Sequence, residues 1–261
     1  MTALPDATKI MAQHLGDGHN IVFFLGAGCS RAAGIPTGED MMAQWVRDGA
    51  PKKSFVDMAA DRYPTAAGQS AAFRTLCAGK QPTAGHHALA RLFAAFPSQI
   101  RLCITTNFDG LVETAVQHRN GIDGNTNNLR VHSDHSAGAG RPAAQHLAQR
   151  NVFVVVKLHG DAGSEVRVSH KDIPTGLVDA LRTELQKVTL LVFLGYGGNE
   201  HNVASWLSQL PVEENGVMWF SAAEPNTILS PWLRGRKYTH VAHQDFDTAL
   251  AALGNVLMAL P

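Results

Sequence analysis

The chain is 261 residues long, with 45% hydrophobic and 17% charged residues, and its 22 Lys+Arg balance 22 Asp+Glu for a formal charge of zero. This composition excludes a charge-driven disordered chain. It also lacks the net basic footprint expected of a protein that binds nucleic acid or an anionic membrane surface. The length allows one large domain or two small ones, and residues 1–261 are expected to form a single domain.

Cys29, Cys77 and Cys103 are scattered without a CxxC pair, so neither a disulfide framework nor a structural zinc site is expected. Residues 1–20 lack a basic start followed by an apolar run, and no stretch approaches the ~18 apolar residues of a membrane span. A cytoplasmic setting without membrane contact is the expectation. A neutral, charge-poor surface favours subunit contacts, so a homo-oligomer or a regulatory partner is expected as well.

Short apolar runs alternate with helix-period segments along the chain. Ile21–Leu25, Ile100–Thr105, Val152–Leu158, Leu190–Leu194, Val217–Phe220 and Lys237–Val241 read as strands, and most are apolar almost throughout. Such runs suit strands covered on both faces of a parallel sheet. Gly85–Phe96 places Leu89, Leu92, Phe93 and Phe96 on one stripe. Phe108–His118, Asn199–Leu210 and Asp245–Leu257 follow later strands with helical spacing. The alternation predicts an α/β fold, a doubly wound Rossmann-like parallel sheet of about six strands. Residues 37–80 are expected to form an inserted helical layer, and 120–140, rich in Asn, Gly, Ser and His, a loop.

Polar and glycine residues gather at the predicted strand ends, where ligands bind in open α/β sheets. Gly26, Ala27, Gly28 and Ser30 follow the first strand, and glycines there let backbone N–H groups approach a phosphate. A tight strand–helix turn needs the same glycines. Asn107 and Asp109 follow the second strand, where both residue types also cap helices well. His159 follows the third, and Gly195, Tyr196 and Gly197 the fourth.

Taken in order, these segments resemble the sirtuin family. Gly26 to Pro36, GAGCSRAAGIP, is similar to the family's GAGxSxxxGIP. Thr106-Asn107-Phe108-Asp109 is similar to TQNxD, and His159-Gly160 to the catalytic His-Gly. Thr83–Leu89 is similar to the helix start before TQNxD, and the resemblance spans about residues 21–245. Two features of sirtuin deacylases are missing. No cysteine occurs after Cys103, so there is no zinc module, and Thr37-Gly38-Glu39-Asp40 stands where deacylases carry Phe-Arg. His132, His135, His159 and His170 form no convincing substitute ligand set, and no metal is expected. The pattern looks closer to zinc-less bacterial sirtuin-like domains that hydrolyse NAD in antiphage defence.

What the resemblance implies is NAD⁺ as substrate, cleaved to nicotinamide and ADP-ribose. Asn107 would orient the ribose or the attacking water, His159 would act as general base, and Asp109 would hold the carboxamide or balance charge. Gly26, Ala27, Gly28, Ser30, Ile35, Pro36, Gly195, Tyr196 and Gly197 would bind the dinucleotide. Asn199, Ser221 and His243 are candidate contacts to its adenosine half, and Arg31 a lesser one to phosphate or ribose. Cys29 has no base partner nearby in sequence, so a nucleophilic role is not expected. Protein deacylation, ADP-ribosyl transfer and non-catalytic sensing of NAD or ADP-ribose are the alternatives.

Overall fold

The computed structural model describes residues 2–123, 128–133, 138–166, 168, 175–209, 216–222, 228–242 and 245–259. Its centre is a sheet of strands β1 (Asn20–Leu25), β2 (Leu102–Thr105), β3 (Leu129–His132), β4 (Phe153–Lys157), β5 (Val188–Leu194), β6 (Gly216–Ser221) and β7 (Lys237–Ala242). All neighbours pair in parallel, in the order β3-β4-β2-β1-β5-β6-β7. Strands β2, β4 and β3 lie on one side of β1 and β5, β6 and β7 on the other, with the chain reaching the edge at β3 before β4 fills the place beside β2, so the fold is doubly wound and the strand order reverses at β1.

Seven strands replace the expected six. The additional one, β3, lies inside the segment read as a loop, and the helix before it runs on to Asp123. Its four residues, LRVH, are intermediate or exposed. A short edge strand paired on one side only leaves little apolar signature.

Alternate residues of each central strand serve opposite layers. Val22 and Phe24 pack with helices α7 (Gly140–Leu147), α8 (Thr175–Leu185), α9 (His201–Ser208) and α10 (Ser230–Arg234). Ile21, Phe23 and Leu25 face α1 (Leu4–Gly16), α5 (Ala84–Ala95), α6 (Leu111–Asp123) and α11 (Phe246–Leu257). Phe23 and Phe24 are wholly buried, each contributing about 1.5–3 kcal/mol of apolar transfer free energy.

Residues 38–77 form three helices, α2 (Gly38–Arg47), α3 (Phe55–Arg62) and α4 (Ala66–Cys77), with side-chain caps from Thr37, Ser54 and Thr65. Their own small core joins Trp45, Met58, Ala59 and Phe73 to Ala162, Val166 and Val168 beyond β4. Phe73 also packs on Phe108 with ring centroids 4.6 Å apart. The helical layer therefore sits on the loops that follow β2 and β4, at the carboxyl edge of the sheet. Among the described residues, no helix is long and apolar enough to cross a membrane.

Candidate active site

Two turns form the floor of this edge. Gly26 donates its N–H to Leu194 O and Gly28 to Gly195 O, both at 2.9 Å. Gly195 has φ +61°, and a Cβ there would lie 2.5 Å from Cys29 N. A Cβ on Gly26 would meet Tyr196 Cα at 2.5 Å, and one on Gly28 would meet Gly195 Cα at 2.9 Å. The missing side chains thus let the turns after β1 and β5 lock together backbone to backbone. The 3-10 helix Ala27–Ala33 starts from this lock, with Ala27 and Gly28 half-buried and Ser30 buried.

From Ser30 a hydrogen-bond relay crosses to the loop after β2. Ser30 Oγ donates to Asp109 Oδ2 at 2.7 Å, and Asn107 Nδ2 donates to Ser30 Oγ at 3.0 Å. Asp109 Oδ1 accepts from Leu111 N at 3.1 Å and so caps α6. An ionised carboxylate only accepts, so the serine proton points to Asp109 and its oxygen is left to receive the amide. This fixes the orientation of Asn107, which is 8% exposed. Its Oδ1 is buried without a hydrogen-bond partner among the described residues. A buried acceptor left unpaired is costly, so it points to a ligand or water donor. Asp109 thus fills the capping role that its sequence position suggested, with its second oxygen engaged by Ser30.

His159 comes from the neighbouring strand. Thr105 of β2 pairs with Lys157 of β4, so Asn107 and His159 each stand two residues beyond that pair. Gly160 turns the chain sharply away after the histidine. It has φ +83°, and a Cβ there would lie 2.1 Å from Glu165 O. His159 is 8% exposed, and its Nε2 lies 3.2 Å from Glu200 Oε2. Tyr196 OH donates to the same oxygen at 3.4 Å. Burial, with Glu200 beside it, holds the Tyr196 pKa above its ordinary value, so the phenol remains a donor. The Tyr196 ring itself is core, packed against Phe24, Phe193 and Trp219.

Beneath the histidine, Lys157 is wholly buried and bonds Asp109 O at 2.6 Å, Glu113 at 2.7 Å and Asp161. Burial opposes its charge, but Glu113 and Asp161 outweigh that and raise its pKa. Burial also pushes the Glu113 carboxyl up, despite Lys157.

The remaining candidates spread around this edge. Ile35 and Pro36 are half-buried, with Ile35 N bonded to Ser30 O at 3.2 Å. Gly197 is exposed. Arg31 pairs with Asp40 at 2.8 Å, and Asn199 Nδ2 reaches Glu39 Oε1 at 3.2 Å, linking the turn after β5 to α2. Ser221 lies at the end of β6, 3.2 Å from His240 Nε2. His243, His135 and His170 lie outside the described residues. Burial raises the Cys29 pKa well above its usual value and the Cys77 pKa to about 11, which keeps both as thiols. His132 pairs with His146 at 3.1 Å. Among the described residues, no three His, Cys, Asp or Glu side chains group as metal ligands. Glu200 and Lys157 had not been singled out from the sequence. Glu200 carries one readable signal, a carboxylate directly after Gly195–Asn199 at the same strand edge.

A family profile described as SIR2-like domain matches residues 101–241. No curated protein matches the chain. Among solved structures, a Sir2 homologue in complex with NAD is 17% identical, with TM-score 0.59, covering 93% of this chain and 91% of that one. A structure described under the mechanism and regulation of Sir2 enzymes is 14% identical, with TM-score 0.60 and coverage of 99% and 98%. A mutant Sir2 homologue bound to ADP-ribose is 14% identical, with TM-score 0.58 and coverage of 93% and 94%. These likenesses establish the fold.

Proposed function

Because the chain belongs to the SIR2-like domain family, we propose that it hydrolyses NAD⁺ at the nicotinamide–ribose bond, giving nicotinamide and ADP-ribose. Two of the similar solved structures hold NAD and ADP-ribose. The observation that carries the reading to this chain is Asn107 Oδ1, the buried acceptor that the Asp109–Ser30 relay leaves unpaired. A ribose hydroxyl or the attacking water supplies the missing donor.

The chemistry asks little of the leaving group, which departs as neutral nicotinamide with the electron pair of the broken C–N bond. What the protein supplies is positioning and stabilisation of an oxocarbenium-like transition state. A water oxygen bonds to the anomeric carbon, and His159 takes the water's proton as general base. Asn107 orients the ribose or that water, and Asp109 holds the relay in place while its charge balances the developing cation. The interlocked turns Gly26–Gly28 and Gly195–Gly197 form the proposed floor for the pyrophosphate, with the Gly26 and Gly28 N–H groups already bonded to Leu194 O and Gly195 O. The cellular role included in the proposal is an effector of antiphage defence whose assembly with itself or a partner restrains it.

Purified protein is incubated with NAD⁺ and free nicotinamide is measured, with and without an acylated peptide. Release without peptide is expected, falling at least ~100-fold in Asn107→Ala and in His159→Ala. Release that requires the peptide transfers the reading to deacylation. Near-normal release in either folded variant removes that residue from the mechanism.

A further inference from the structure

We propose that Glu200 is a positioning residue that holds the His159 imidazole in its Nε2–H form and leaves Nδ1 as the nitrogen that accepts the proton. The inference rests on the NAD⁺ cleavage reading above and adds the group that sets the base in order.

Glu200 occupies the N-cap of α9 with extended backbone, yet its side chain makes no capping bond to that helix. A carboxylate at a helix start is favoured by the helix dipole whether or not it bonds the open N–H groups. This one turns to His159 instead, with Oε2 3.2 Å from Nε2. Tyr196 OH approaches the same oxygen at 3.4 Å and gives it a second donor. The Tyr196 ring is fixed in the aromatic cluster of Phe24, Phe193 and Trp219, so the donor comes from a rigid part of the sheet.

An ionised carboxylate has lone pairs and no proton to give. A neutral imidazole facing it through Nε2 must present N–H there, because two lone pairs would repel. The proton is then absent from Nδ1. Base and anchor are thereby divided between the two ring nitrogens. When Nδ1 takes a proton from water, the resulting imidazolium already faces a negative charge. The Glu200 side chain is 37% exposed and the His159 side chain 10%. The anchor reaches in from the rim, and its replacement leaves no buried cavity.

The test uses the full chain labelled with ¹⁵N-histidine, the His159 signals being assigned by their loss in His159→Ala. At a pH where the ring is neutral, wild type is expected to show a protonated Nε2 and an unprotonated Nδ1. Glu200→Gln, whose amide can donate or accept, is expected to shift the ring towards a mixture of tautomers. Its kcat for nicotinamide release should fall at least about 10-fold with KM within about 2-fold, and Glu200→Gln in a His159→Ala background should lose nothing further. A wild-type ring protonated on Nδ1, or a tautomer indifferent to Glu200→Gln, overturns the proposal. So does an altered tautomer with unchanged kcat. If wild type releases no nicotinamide, the cleavage reading fails, and the ring spectrum alone still decides whether Glu200 sets the tautomer.

Discussion

Lys157 Nζ lies 2.6 Å from the carbonyl oxygen of Asp109, so the lysine beneath His159 also grips the loop that carries Asn107. Its partners Glu113 and Asp161 lie on α6 and on the turn after His159. One buried ammonium therefore gathers three separate stretches of chain under the site. Lys157→Met keeps much of the volume and strands the Glu113 carboxylate in the interior. Losing one partner of a buried pair costs about 3–5 kcal/mol. Urea unfolding should show a loss of that size, part of it recovered in Lys157→Met/Glu113→Gln. A single-variant loss below about 1 kcal/mol contradicts this account.

Gly195 meets both demands that favour glycine, a left-handed backbone and no room for a Cβ. Gly195→Ala should cost about 2–4 kcal/mol, combining the left-handed penalty with overpacking against Cys29. Gly16→Ala is the control, because its methyl group meets nothing within 4 Å. Its stability should change by less than about 1 kcal/mol. Equal effects at the two positions in chemical denaturation would show that the interlocked turns are not tight.

His86 governs a third expectation, on pH. Burial lowers its pKa from 6.5 to about 4, although Asp109 and Asp247 pull the other way. The folded protein thus resists a proton that the unfolded chain accepts. Stability from this group is complete above pH 6.5, declines as pH falls from about 6.5 to about 4, and changes no further below that. At about 1.4 kcal/mol per pH unit, the loss is at most about 3.5 kcal/mol. His86→Gln retains an acceptor for the Thr83 N–H that His86 Nδ1 now receives. Unfolding free energies at pH 7 and pH 4.5 should differ less in His86→Gln than in wild type. An unchanged difference would assign the acid sensitivity elsewhere.

The central strands were legible because their residues are buried on both faces, which forces long apolar runs such as Phe153–Val156 and Leu190–Leu194, whereas the edge strand Lys237–Ala242 is only partly buried and carries a weaker signal. Leu129–His132 was not legible, since an edge strand need not be apolar. The sheet order was also hidden, because it depends on which distant strands pair. Asn107, Asp109 and His159 stood out as polar groups ending apolar runs, and the structure sets them at one edge. Glu200 was missed because its contact with His159 spans 41 residues. Lys157 was absorbed into the strand run VFVVVKL, its charge concealed by partners that only folding supplies.

The locked turns after β1 and β5 have a mechanical consequence. Backbone touches backbone there, so no rotamer can change to make room and neither turn can shift without the other. The floor of the site therefore behaves as one stiff piece. The helices of residues 38–77, by contrast, hold a core of their own and meet the loop after β2 through side chains, Phe73 against Phe108, which can repack. Phe108 stands between Asn107 and Asp109, so that contact bears on the short stretch where the relay begins and ends.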